Sequence, residues 1–495
     1  MKPYKMVLLF LAYRLASVFL VRTAHVPDEY WQSLEVAHKK AFGYGHLTWE
    51  WTHGIRSYLQ VSLITVLYKL LKYFNLDSVD AVVLAPRVFQ ALVTACGDYY
   101  FWQWCARATG TQGLWAAYSL TTSWYWFYCG SRTLSNTLET FFTVLGLRFY
   151  PWSASKPRPG FLPHVLFAGL ACVVRPTALV YWAPLFLYHL HASQNTVQLC
   201  LLHYLPTGMV LATVSFLLDS YLYDRWVSTL WNFVRYNVAS GVSSWYGTSP
   251  AYWYLAVGLP AVLFVQAVPL LCGVYSTVRR PQAHRTEAVL LAVVAWSLAV
   301  FSLLPHKEFR FLLPLLPMLT FVSSSFLSRW SRHAARWQLW AVTVALLVGF
   351  VVPTVVFGTL HQRGTLDVVA SLSRTASKDP AHTKLLFLMP CHSTPLYSHL
   401  HVDVPAKFLT CDPDFSGQAG YLDEAERFFR APDAWLKRQY PSNASLPTHI
   451  VSYDTLYPRV KDFLAQRGYA VAQTFANTFL PYDGVGESVF VYHRN

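Results

Sequence analysis

The apolar positions fall into long runs. They show neither the strict alternation of a surface strand nor the one-sided stripe of a soluble helix. Runs occupy 6–21, 81–102, 114–128, 138–150, 161–174, 178–190, 197–218, 254–275, 288–304, 311–327 and 339–360, with short polar breaks between them. A helix needs about 20 such residues to cross a bilayer, so the pattern predicts about eleven spans, several of them short. The stretch 56–74 is apolar on one face and carries Lys69 and Lys72 near its end, which predicts a helix lying at the membrane surface. After 360 the character changes. Short β-rich runs at 384–389, 450–453 and 488–492 and a charged helical piece at 423–430 predict a small α/β domain over 361–495. The expected organisation is a polytopic α-helical membrane domain over 1–360, with polar loops at 23–80 and 219–253, followed by that α/β domain.

Loop charge orients the spans. Lys2 and Lys5 precede the first run, which lacks a small-residue cleavage site and reads as a signal anchor with a cytosolic N-terminus. The basic loops at Lys156/Arg158, Arg279/Arg280/Arg285 and Arg329/Arg332/Arg336 then also fall in the cytosol. Counting 56–74 as a span would put all three on the far side, against the positive-inside bias. An odd number of spans leaves the C-terminal domain in the lumen. Asn443-Ala-Ser445 is a glycosylation sequon usable only there. Cys391 and Cys411 lie in the same polar region, where an oxidising compartment would let them pair.

Composition fits a membrane protein. Hydrophobic residues make up 54% and charged residues 13%, against roughly 25% charged in soluble domains; mean hydropathy is +0.30. A net charge of +14 would suggest nucleic acid in a soluble chain. Here the basic residues sit in short loops between apolar runs, so no nucleic-acid partner is expected. The other cysteines lie mostly in apolar runs and read as small buried hydrophobes. The sequence holds no Walker loop, no GxGxxG after a strand and no HExxH, which excludes those nucleotide-binding and metalloprotease classes.

With that orientation the polar clusters share one face: Asp28 and Glu29, Arg132 and Asn136, Arg175, Asp219, Tyr246, and His306, Lys307, Glu308 and Arg310. Adjacent carboxylates where a helix leaves the membrane are costly and point to function. Carboxylates with several cations at a membrane surface suit transfer from a phosphate-linked lipid donor. The carboxylate deprotonates an acceptor hydroxyl; Arg and Lys hold and neutralise the leaving phosphate. Each residue also has a plainer reading: helix capping for Asp28, a solvated loop for 306–310, a hairpin cap for Arg175 and snorkelling for Arg132. Trp245, Tyr246, Tyr252, Trp253 and Tyr254 suit an interfacial belt, and Asp98 reads as a structural buried acid.

Four motifs carry a family resemblance: His25-Val-Pro-Asp-Glu-Tyr-Trp-Gln-Ser-Leu-Glu-Val-Ala-His38, Phe42-Gly-Tyr-Gly-His-Leu-Thr-Trp-Glu-Trp51, Arg132-Thr-Leu-Ser-Asn-Thr-Leu-Glu139 and His306-Lys-Glu-Phe-Arg-Phe311. Together they resemble the GT-C glycosyltransferases that use dolichyl-phosphate mannose, over nearly the whole chain. Met389-Pro-Cys-His-Ser-Thr-Pro395 resembles the branch that adds the third mannose of glycosylphosphatidylinositol (GPI) anchors. Val26 stands between His25 and Pro27 where the family more often reads His-Pro-Asp-Glu, so His25 is given no role. The resemblance implies a GT-C fold in the endoplasmic reticulum membrane, a lumenal site, an inverting reaction, and no metal or cofactor beyond the donor substrate. It implies an α-1,2-linked mannose on the second mannose of a GPI precursor. Asp28 is the implied base, with Glu29 a second candidate. His306, Lys307 and Arg310 are implied at the donor phosphate, with Arg132; Glu308, Asn136, Arg175, Asp219 and Tyr246 complete the substrate-binding set. Within the class, the alternatives are transferases for the fourth GPI mannose or for the N-glycan lipid precursor. Outside it, a lipid-phosphate transporter or scramblase predicts charges distributed along a path through the spans and internal repeats, whereas here the polar clusters concentrate at one side and no repeat is seen.

Overall fold

The computed structural model describes residues 2–110, 113–152, 162–193, 195–239, 245, 247–415, 420–482 and 484–494. Among them, seven helices are long and apolar enough to cross a membrane: Pro3–Leu20, Val79–Thr109, Thr196–Leu222, Tyr254–Arg279, Arg285–Leu303, Phe309–Trp330 and Arg336–Lys378. They coincide with seven of the runs expected to span. The other four runs form shorter helices. The run 114–128 breaks at Thr122 and Ser123 into Leu114–Thr121 and Trp124–Gly130. The remaining three give Ser135–Phe149, Pro163–Val174 and Leu179–Ala192. At 1.5 Å per residue none of these reaches the ~30 Å of a hydrocarbon core unaided. The one-sided stretch 56–74 is a single helix, Leu59–Tyr73.

The chain divides into two compact units. The first comprises Met1–Phe19, Gly54–Gln60 and Arg87–Thr354. Its deepest polar contact joins two span helices. Arg14 donates to Asp98 from Nε at 2.6 Å and from Nη2 at 3.0 Å, and from Nη1 to the Trp126 carbonyl at 2.8 Å. Both side chains are fully buried. Gly130 makes this approach possible, because a Cβ there would collide with the Arg14 guanidinium.

The second unit comprises Leu20–His53, Val61–Pro86 and Val355–Asn495. It holds a five-stranded sheet, β1 (Leu385–Leu388), β2 (Ala406–Phe408), β3 (His449–Tyr453), β4 (Tyr469–Ala476) and β5 (Ser488–Arg494), in the order β2-β1-β3-β5-β4. β1 runs parallel to β2 and β3; β5 runs antiparallel to β3 and β4. β1 and β3 are buried along their whole length, as continuous apolar central strands should be. Their core includes Leu386, Ile450, Phe428, Trp435, Val460 and Phe463. The helix Glu424–Arg430 starts at Asp423 with a reciprocal capping box to Glu426, the device that satisfies the first free N–H groups.

Candidate active site

In the second unit the helical path runs without a break from Asp28 to Phe42, with one π-helical stretch at Tyr30–Leu34. Asp28 and Glu29 occupy its first turn, where the positive end of the helix dipole favours negative charge. Asp28 is half-buried and Glu29 buried. π-Helical insertions within α-helices often mark functional sites. Further along the same helix, Glu35 is fully buried. Its carboxylate accepts from Leu396 N at 2.7 Å, Ser398 N at 3.2 Å and Ser398 Oγ at 2.6 Å. Burial pushes this carboxyl up, and those hydrogen bonds pull it back only in part.

The first unit carries the cationic cluster. Arg310 grips Glu308 with both Nε (2.7 Å) and Nη2 (2.5 Å), and His306 Nε2 lies 3.0 Å from the same carboxylate. Burial alone would push Glu308 up, but the Arg310 charge and the hydrogen bond to His306 hold it well below the ordinary carboxylate range. The hydrogen bond to Glu308 raises His306, outweighing its burial. Lys307 donates to the carbonyls of Ser249 at 2.9 Å and Leu304 at 2.6 Å, which fixes the turn. The Phe311 ring joins this group to a second one. The guanidinium of Arg310 lies 5.4 Å from its centroid and that of Arg175 lies 5.5 Å from it.

Arg175 follows the end of the helix Pro163–Val174. It donates to Ser135 Oγ at 2.9 Å and pairs with Glu139 at 3.5 Å. Glu139 also accepts from Asn136 Nδ2 at 3.1 Å and from the Tyr181 hydroxyl at 3.0 Å. The sequence reading gave Glu139 no role, although a carboxylate inside an apolar run is itself a signal, and its spacing of three from Asn136 puts both on one helix face. Arg132 is buried with its guanidinium 4.2 Å from the Tyr128 ring centroid and Nε donating to the Tyr128 carbonyl at 3.2 Å. Asp219 stands apart from this cluster. It accepts from Tyr58 N (2.7 Å), Ser57 Oγ (3.1 Å), Thr229 Oγ1 (2.7 Å) and Ser215 Oγ (3.4 Å), and so anchors the segment Gly54–Gln60. Tyr246 lies outside the described residues.

In the second unit, Cys391 and Cys411 are joined as a disulfide with Cα atoms 5.9 Å apart. With His392 they are the one grouping of metal-ligand type among the described residues, and its sulfurs are already bonded to each other. Asn443 is exposed in a short turn, its Oδ1 accepting from Arg467 at 2.9 Å.

Two histidines of this unit, His38 buried and His392 partly buried, make its stability pH-dependent. His38 Nε2 lies 3.0 Å from His401 Nδ1. Burial and the neighbouring His401 push His38 down to about 3. Burial pushes His392 down to about 4, although Glu50 pulls the other way. An unfolded histidine titrates near 6.5, so below that pH the unfolded chain binds protons that the folded one refuses. Stability is therefore full above 6.5 and lost as pH falls toward 3–4. Lowering pH from about 7.5 to 5.5 is expected to cost about 1.4 kcal/mol for each such histidine. Thermal melts of detergent-solubilised protein check this. His38→Gln should flatten the acid limb, and an unchanged limb in both His38→Gln and His392→Gln would assign it to other groups.

The profile of the Alg9-like mannosyltransferase family matches residues 5–401. The chain is 42% identical over 471 residues to GPI mannosyltransferase 3 of Drosophila melanogaster, covering 94% of this chain and 82% of that protein. It is 36% identical over 492 residues to GPI alpha-1,2-mannosyltransferase 3 of Homo sapiens, covering 99% and 87%. Its fold is similar to that of ArnT from Cupriavidus metallidurans bound to undecaprenyl phosphate, with TM-score 0.60 at 14% identity over 99% of this chain and 97% of that one. Apolar helices, polar clusters at their ends and these likenesses converge: the chain is a multi-pass membrane glycosyltransferase of GT-C fold and belongs to the Alg9-like mannosyltransferase family.

Proposed function

We propose that the chain transfers mannose from dolichyl-phosphate mannose, in α-1,2 linkage, to the second mannose of a GPI-anchor precursor, at the lumenal side of the endoplasmic reticulum membrane. The observation that carries this reading is near full-length similarity to proteins named GPI alpha-1,2-mannosyltransferase 3 in Danio rerio (40%) and Homo sapiens (36%). In this reading Asp28 takes the proton of the acceptor 2-hydroxyl. That oxygen attacks C1 of the donor mannose as the bond from C1 to the phosphate oxygen breaks, so a β-linked donor yields an α-linked product. The dolichyl phosphate leaves as an anion and needs no proton, so no general acid is required. Arg310, Arg175, Arg132, His306 and Lys307 stabilise the departing charge. Glu308 and Glu139 aim the Arg310 and Arg175 guanidinium groups. Glu29 is the second candidate for the base, and Asn443 is the glycan acceptor of a lumenal C-terminal region.

Expression in cells unable to add the third GPI mannose tests the proposal. GPI-anchored proteins should return to the surface, and the accumulated two-mannose precursor should disappear. Restoration only in cells blocked at the fourth GPI mannose, or at the N-glycan lipid precursor, would move the acceptor assignment to that step.

A further inference from the structure

The motif Met389–Pro395 and the residues after it have no part in the chemistry above. We infer that the segment 394–401 is a positioning strap that sets the helix beginning at Asp28, and that this is what the C-terminal region contributes to transfer. The inference rests on Asp28 as the base.

Three side chains at successive turns of that helix, Trp31, Glu35 and His38, follow the i, i+4, i+7 spacing of one face. Each meets the strap in order. Trp31 Nε1 donates to the Thr394 carbonyl at 3.1 Å. Glu35 takes the two backbone N–H groups of Leu396 and Ser398 and the Ser398 hydroxyl. His38 meets His401 at 3.0 Å. The middle contact is the informative one. A fully buried carboxylate is an expensive way to fasten a helix, and an apolar side chain would do it at less cost. What three converging donors supply is direction, because they hold one helical turn at fixed distances along and around its axis.

The strap is itself held. The disulfide from Cys391 to Cys411 ties its leading end. Ser373 Oγ donates to the Leu400 carbonyl at 2.6 Å, and the Tyr397 hydroxyl donates to the Val404 carbonyl at 2.7 Å. From Glu35 to Asp28 the chain is helical throughout, π-helical at Tyr30–Leu34, so a displacement at Glu35 is carried along one hydrogen-bonded path to the turn that holds Asp28. A base moved by ~1 Å can lose about 100-fold in rate.

Full-length protein in detergent, assayed with dolichyl-phosphate mannose and a synthetic dimannosyl GPI acceptor, tests the strap. Ser398→Ala and Glu35→Ala are expected to lower kcat by about 10–100-fold, with KM for the donor within about twofold of wild type. Ser398→Thr, which keeps the hydroxyl and the N–H, should restore kcat. Val460→Ala, in the core of the same unit, should lower the melting temperature and leave kcat unchanged. Wild-type kcat in both strap variants overturns the inference. So does a kcat loss that Val460→Ala reproduces at an equal drop in melting temperature. Asp28→Asn, run alongside, separates the two readings: if it is inactive while the strap variants are fully active, the base stands and the strap falls. If it is active, the base falls, and the strap as a device for placing that base falls with it.

Discussion

Asp28→Asn is expected to lower mannosyl transfer by about 10²–10⁴-fold, the usual worth of a general base, with the protein still folded and inserted. Asparagine is isosteric and serves a helix N-terminus nearly as well as aspartate. Losing the negative charge in the first turn costs about 0.3–1 kcal/mol of dipole stabilisation. The substitution therefore removes the base and leaves the plainer capping role almost intact, which is why it separates the two readings of this residue. kcat should carry the loss, with KM for the donor nearly unchanged, because the proton is taken only as the new glycosidic bond forms. Glu29→Gln is the internal comparison. Glu29 shares the first turn and is buried, whereas Asp28 is half-buried. Transfer kinetics on purified protein of matched amount decide the matter. Full activity in Asp28→Asn with a large loss in Glu29→Gln would exchange the roles.

The residues differ in how far the sequence could reveal their neighbours. The long apolar runs were legible because burial in lipid imposes a one-dimensional pattern, and β1 and β3 were legible as short continuous apolar runs. β4 was not foreseen: it lies on the edge of the sheet with only Tyr469 buried and Phe475 partly so, and no inside–outside alternation marks it. The run 114–128 looked continuous because Thr122 and Ser123 are only mildly polar, yet Ser123 is extended and breaks the helix. Glu139 could have been found from its place inside an apolar run. The partners of Glu35 could not, since the Leu396 and Ser398 groups it binds lie 361 and 363 positions away. The same holds for Asp219. Its place at a helix end marked it as unusual, but the Tyr58 and Ser57 groups that satisfy it come from a segment some 160 positions earlier. Local chemistry announces which residues are costly, and only the fold shows what offsets the cost.

Removing one partner of the Arg14–Asp98 pair is expected to give the largest stability loss in the molecule. Asp98→Ala leaves a guanidinium buried between two span helices with the Trp126 carbonyl as its remaining acceptor among the contacts described above. Breaking a buried ion pair on one side typically costs about 3–5 kcal/mol, because the surviving charge keeps its desolvation penalty and loses its compensation. Arg14→Met should cost a similar amount by stranding the carboxylate. The double variant Arg14→Met with Asp98→Leu removes both charges and should recover much of the loss, since apolar packing of similar volume is often neutral or better. A double-mutant cycle closed with Asp98→Leu alone isolates the coupling, as the two side chains touch and their effects cannot add. Gly130→Ala tests the same pocket without touching either charge: its methyl would displace the guanidinium, so it should destabilise, and much less so once Arg14 is methionine. Melting temperature in detergent and steady-state protein level read all of these variants. Single variants that melt with wild type would mean the pair adds nothing to holding Pro3–Leu20 against Val79–Thr109.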